Sequence, residues 1–238
     1  MLRQLRRVMP QERFLYFGDS ANAPYGSRST EEVRRLSLTA ADRLLRRGIK
    51  ALVVACNTAT SAAITVLRET YPDLIVVGIE PALKLAADRF PGARIGVMAT
   101  QVTLREEKFA RLMERFSDSC AIYAIAAPGM VELIEAGKAD SEEMDALTEQ
   151  LLGPYRGKLD ALVLGCTHYP FARKSISRAL GEGTVLLHGG MGTAMQTRRR
   201  LEAAGLLRSG RGELVIENSS GEARLVALCR HLEEMEEL

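Results

Sequence analysis

Short runs of Val, Ile, Leu and Ala alternate along the chain with longer stretches in which apolar residues recur every three or four positions. The first pattern suits strands buried on both faces of a parallel sheet, and the second suits amphipathic helices that cover it. The runs predict strands at Phe14–Phe17, Ala51–Ala55, Leu74–Gly78, Arg94–Ala99, Ala121–Ala126, Ala161–Gly165 and Val185–His188. Helices are predicted at Thr30–Arg47, Thr58–Thr70, Pro81–Phe90, Val102–Phe116, Gly129–Ala136, Ser141–Leu152, Phe171–Leu180 and Thr193–Ala204. From Glu213 on, the pattern reads as a strand, a turn at Asn218–Gly221 and a helix. Boundary chemistry agrees, since Ser29 or Thr30 with Glu31 and Glu32 can cap and charge a helix start that Gly48 later closes. Successive βα units of this kind build an α/β fold with mostly parallel sheets flanked by helices.

One phrase occurs twice: ALVVACNTAT at Ala51–Thr60 and ALVLGCTHYP at Ala161–Pro170. Each is a strand-like run that stops at a cysteine, followed by small polar residues and a helical pattern. The copies lie too far apart for a solenoid repeat, so they mark two similar domains. Residues 1–80 with 190–238 are expected to form the first, discontinuous domain and residues 81–189 the second. The two would be related by a pseudo-twofold axis, with the active site in the cleft between them. Met1–Met9 is helix-like, yet no strand precedes it to complete a first βα unit.

Composition narrows the function classes. The 32 basic and 30 acidic residues nearly cancel, which makes no case for nucleic acid as a partner. The run Arg198–Arg200 reads as a solvated helix face. No apolar stretch approaches the roughly 18 residues a membrane helix needs, and no secretory h-region is visible, so the cytoplasm is the expected location. The four cysteines, Cys56, Cys120, Cys166 and Cys229, lack zinc-type pairing and should be free thiols in a reducing compartment. No metal site is expected.

In open α/β sheets the chemistry lies beyond the carboxyl ends of the strands, where Cys56 and Cys166 fall. A helix start offers unpaired N–H groups and partial positive charge that stabilise a thiolate. A cysteine closing one strand would be unremarkable, but its repetition in one context favours a functional pair. Cys120 and Cys229 read as structural. Asn57, Thr58 and Thr167 can serve as helix caps, as ligand contacts or as both. His168 stands two residues from Cys166 and can move a proton or favour the thiolate. The turn-rich segment Gly18–Ser29 offers Asp19, Ser20, Asn22, Tyr25 and Gly26 at the same sheet edge, without a phosphate-binding glycine pattern.

YFGDSANAPYG at Tyr16–Gly26, ACNTAT at Ala55–Thr60 and GCTHYP at Gly165–Pro170 resemble the hallmark segments of glutamate racemases, a cofactor-independent aspartate/glutamate racemase family. The resemblance runs from about Leu2 to Ala204. It implies interconversion of L- and D-glutamate for peptidoglycan, without pyridoxal phosphate or any other cofactor, by two cysteines on opposite sides of the α-carbon. Cys56 and Cys166 match those two bases. Tyr25 with Gly26, Asn57 with Thr58, and Thr167 with His168 match the substrate-contacting pairs, while Asp19 and Glu135 align with assisting acids. A homodimer is common in the family. Chemistry points the same way, because a single base would return the proton to the face it left.

Two segments depart from the family pattern. Its members open with a strand ending in Asp-Ser-Gly that has no counterpart here, which leads to the expectation that the natural protein starts upstream of Met1. His188-Gly189-Gly190 stands where the family commonly has Asp-Ser. The alternatives are a racemase for aspartate or another amino acid, and a racemase-derived binding protein that holds glutamate without exchanging its α-hydrogen.

Overall fold

The computed structural model describes residues 1–79, 81–105 and 107–234. The chain divides into two compact units, one built from Met1–Ile79 and the chain from Gly190 onward, the other from the stretch between them, ending at Gly189. The first unit opens with α1 (Leu2–Val8), β1 (Arg13–Gly18), α2 (Thr30–Leu45), β2 (Ala51–Val54), α3 (Asn57–Thr70) and β3 (Ile75–Gly78). The second holds α4 (Leu83–Arg89), β4 (Arg94–Ala99), α5 (Gln101–Arg105), α6 (Glu107–Ser117), β5 (Ala121–Ala126), α7 (Met130–Glu135), α8 (Glu142–Leu152), β6 (Ala161–Leu164), α9 (Arg173–Leu180) and β7 (Val185–His188). The first unit is completed by α10 (Gly190–Ala203), β8 (Glu213–Asn218) and α11 (Ala223–Glu234). The architecture is α/β, with parallel sheets flanked by helices, as the hydrophobic pattern predicts.

In the second unit the strands form one parallel sheet in the order β5-β4-β6-β7. Side chains alternate between its faces, as the two-residue strand period requires. Ile95, Val97 and Ala99 of β4 and Ala161 and Val163 of β6 join Leu83, Ala86 and Phe109 from α4 and α6. Met98, Leu162 and Leu164 face the other way, against Met130, Ile134, Met144 and Ile176 from α7, α8 and α9. Both faces of the central strands β4 and β6 are therefore dry, which is why β6 reads as an unbroken apolar run. Each fully buried Leu or Ile there contributes about 1.5–3 kcal/mol, so the central strands are the most firmly held part of the unit.

The first unit contains two separate parallel ladders, β1 with β8 and β2 with β3. Leu5 and Met9 at α1, with Ala194 and Leu201 of α10, pack against Phe14, Ala51, Val53 and Ile75, so one helical layer covers strands of both ladders. Leu52 and Val76 point the opposite way, toward Ala63, Ile64 and Leu67 of α3. Ahead of β1, the buried Glu12 accepts from Arg208 N at 2.7 Å and pairs with Lys50 Nζ at 2.8 Å, tying the starts of β1 and β2 to the segment before β8.

Some boundaries differ from the pattern. The helix predicted over Val102–Phe116 is two helices, α5 and α6, on either side of residue 106, which lies outside the described residues. The helix expected at Phe171 begins as a 3-10 turn, Tyr169–Ala172, with Pro170 in its first turn, where proline's missing N–H costs nothing. α10 starts at Gly190, ahead of the expected Thr193. Among the described residues no helix is long and apolar enough to cross a membrane.

Candidate active site

In the first unit the side chains of interest gather beyond the carboxyl ends of β1 and β2. Cys56 has extended backbone and is itself the cap of α3, its Sγ accepting from Ala59 N at 3.5 Å. Of the two readings open to Asn57 and Thr58, capping does not apply, since Cys56 holds the cap position. Both lie inside the first turn, buried, and the sulfur takes the orphan N–H instead. A capping thiolate would gain from that N–H and from the helix's positive end. Asn57 Oδ1 is buried and accepts no hydrogen bond among the described residues, so a donor arriving with a ligand would satisfy it.

The loop after β1 is ordered around one carboxylate. Asp19 Oδ2 accepts from Tyr25 Oη at 2.6 Å, and Asn22 Nδ2 reaches Oδ1 at 3.0 Å. Asp19 O accepts from the backbone N–H groups of Asn22 and Ala23. Burial, together with the Asp19 carboxylate, pushes the Tyr25 hydroxyl well above the ordinary tyrosine range, so it remains a proton donor. The Tyr25 ring packs beside Cys56 against Val33, Ala59 and Ala62, which brings the loop and the α3 start onto one patch. Gly26 follows in the 3-10 turn Tyr25–Ser27.

Arg28 fastens this loop from behind, with Nε donating to Asn22 O at 2.6 Å and Nη1 pairing with Glu32 of α2. Asn22 is among the loop residues that the sequence offers, but nothing there assigns a role to Arg28. The four-residue spacing of Arg28 and Glu32 is the one signal that could have pointed to the clamp.

In the second unit Cys166 follows β6, buried, with its Sγ 3.6 Å from His168 Nδ1. His168 Nε2 lies 2.7 Å from Glu135 Oε1, at the end of α7. Burial works against the imidazolium, but hydrogen bonds and charge from Cys166 and Glu135 outweigh it and raise the ring to about 10. The hydrogen bond to His168 in turn holds the Glu135 carboxyl below its ordinary range, against the effect of burial. Both ring nitrogens face acceptors, an arrangement that the doubly protonated ring satisfies completely.

Gly165 makes this placement possible. Its N donates to Met98 O at 2.7 Å, and a Cβ there would come within 2.8 Å of that same oxygen. Tyr169, fully buried, donates to Ala127 O at 3.4 Å and packs beneath the turn. Thr167 is half-buried between Cys166 and His168, ahead of the 3-10 turn, whose N-cap position is taken by His168. The two thiols thus differ in setting: Cys56 caps an α-helix, whereas the partner of Cys166 is a histidine. His188 ends β7 opposite Leu164.

The family model described as Asp/Glu/Hydantoin racemase matches residues 1–195. A glutamate racemase of Clostridium acetobutylicum is 43% identical over 235 residues, covering 98% of this chain and 91% of that protein. The crystal structure of glutamate racemase from Thermus thermophilus in complex with β-chloro-D-alanine is 38% identical, with a TM-score of 0.82 over 98% of this chain and 88% of that one. The Escherichia coli glutamate racemase, solved with L-glutamate and the activator UDP-MurNAc-Ala, gives 29% identity and a TM-score of 0.85 over 98% and 89%. Matched over most of its length by the family model, and over nearly all of it by these relatives, the chain belongs to the Asp/Glu/hydantoin racemase family.

Proposed function

We propose that this chain interconverts L- and D-glutamate by a two-thiol mechanism that uses no cofactor. One cysteine, as thiolate, removes the α-proton from one face, and the other, as thiol, delivers a proton to the opposite face. Cys56 and Cys166 exchange these roles between the two directions. The observation that carries the reading is the pair of matched settings. Each thiol closes a parallel strand and has its own stabiliser, a helix-start N–H for Cys56 and the His168–Glu135 pair for Cys166. Relatives solved with L-glutamate and with β-chloro-D-alanine support an amino-acid substrate.

His168, backed by Glu135, favours negative charge on Cys166 in the direction in which that sulfur acts as base. Asp19, held by Tyr25 and Asn22, is the acid on the Cys56 side. Asn57 and Thr58, Thr167 and His168, and Tyr25 and Gly26 are the substrate contacts, with Asn57 Oδ1 suited to the substrate ammonium. Because the α-proton of an amino acid is far less acidic than a thiol, these donors must stabilise the developing carbanion. The D-glutamate would serve peptidoglycan synthesis in the cytoplasm, and we place the enzyme there as a homodimer.

Incubation with L-glutamate in D2O tests the proposal. Deuterium is expected at the α-carbon, D-glutamate is expected to accumulate, and Cys56→Ser and Cys166→Ser are each expected to abolish racemisation. Exchange that survives both substitutions together would sink the two-thiol mechanism. Faster turnover of aspartate than of glutamate would redirect the substrate assignment while leaving the chemistry intact.

A further inference from the structure

The residues after 195 lie outside the family match, yet one turn among them reaches the loop that carries Asp19. β8 runs parallel to β1 with Asn218 opposite Gly18. Asn218 Nδ2 donates to Ser20 Oγ at 2.8 Å. Its Oδ1 accepts from both the N–H and the hydroxyl of Ser220, at 2.9 and 2.8 Å, which fixes the amide so that its NH2 faces the loop. Ser219 adds two bonds, its N donating to Gly18 O at 2.9 Å and its Oγ accepting from Ala21 N at 3.0 Å. Gly18 leaves room for this approach, since a Cβ there would stand 3.3 Å from Asn218 Nδ2.

From these contacts we infer that Asn218 and Ser219 are positioning residues for the reaction, setting the Asp19–Tyr25 loop through Ser20 and Ala21. The inference rests on the racemase reading of that loop. The polar contacts flank Asp19 on both sides in sequence: Gly18 O and Ser20 Oγ are tied to the turn after β8, while Asn22 and Tyr25 close on the carboxylate itself. Three backbone or side-chain bonds over four consecutive residues leave Asp19 little freedom to swing away from the Tyr25 hydroxyl. A side chain held this way acts at a distance, by geometry, without touching the substrate.

The test uses the full chain with Ser20→Ala, Asn218→Leu and the double variant. Each single substitution is expected to lower kcat/KM for L-glutamate about tenfold, the worth of one well-made, partly buried hydrogen bond. The double variant should be no worse than the poorer single one, because both changes delete the same bond. Ser20→Thr, which keeps the hydroxyl, should recover most of the loss. Amide exchange at Asn22 and Ala23, whose N–H groups donate to Asp19 O, should quicken in both single variants. Unchanged kcat/KM in Ser20→Ala, or losses that multiply in the double variant, would overturn the inference. Should Asn218→Leu fail to fold, Ser20→Ala against Ser20→Thr decides alone. A native chain inactive on glutamate would instead overturn the functional reading. The exchange measurement then still decides whether the turn orders the loop, and unchanged rates would overturn that too.

Discussion

Replacing Glu135 with Gln tests the electrostatics around Cys166 most directly. The substitution keeps the shape and removes the charge that sits 2.7 Å from His168 Nε2. Both side chains are less than one-third exposed, so solvent screens the pair only partly. A hydrogen bond to a charged group is worth about 1.5–3 kcal/mol, which corresponds to about one to two pH units in the midpoint of the imidazole. The native ring, raised from its ordinary 6.5 to about 10, should therefore titrate clearly lower in Glu135→Gln, while Cys166 still holds it above a free histidine. The assay is NMR titration of the imidazole C–H resonances, with only His188 and His231 to tell apart from it.

Stability should follow the same couple. His168 binds its proton more tightly folded than unfolded, so its contribution is complete below 6.5 and is lost as pH rises through about 10. Glu135, lowered from 4.5, contributes fully above 4.5 and is lost as pH falls through its depressed folded value. The pair thus contributes fully between 4.5 and 6.5, and Glu135→Gln should bring the alkaline loss to lower pH. A native His168 titrating at or below 6.5, or identical curves for the native chain and the variant, would refute the coupling.

Other perturbations probe the frame. Gly165→Ala must push the chain away from Met98 O, at a cost of about 1–3 kcal/mol seen in denaturant unfolding, and should lower activity by displacing Cys166. Glu12→Ala removes the acceptor for Arg208 N and the partner of Lys50, and should cost about 1–3 kcal/mol with little effect on kcat. Ser29→Ala deletes the cap that accepts from Glu32 N, and is expected to cost about 1 kcal/mol in thermal unfolding. Because α2 also carries the partner of Arg28, a rise in KM should accompany that loss.

Much of the fold was legible in local pattern. The strand range Arg94–Ala99 coincides with its apolar run, because a strand covered on both faces needs apolar residues at nearly every position, and the less buried edge strands Ala121–Ala126 and Val185–His188 coincide with theirs as well. Helix α1 was visible in Met1–Met9 for a similar reason, since one apolar stripe must meet a neighbour. The cysteines stood out because each ends a strand-like run, and backbone pattern alone places such a residue at the sheet edge.

What the pattern could not carry was the geometry of individual groups, near in sequence or far. That Cys56 caps its own helix depends on the extended backbone at one residue and the turn of its sulfur, which no periodicity encodes. That Gly165 is a point of close approach follows only once β6 lies against β4. The clamp of Arg28 on Asn22, the pairing of Glu135 with His168 and the bridge from Asn218 to Ser20 join positions 6, 33 and 198 residues apart. Sequence by itself determined the elements and the chemical types available, because local backbone preference and burial act within a few residues. Tertiary structure alone decided which charges and hydrogen-bonding groups meet, because those energies depend on distances of a few ångströms between segments that only packing brings together.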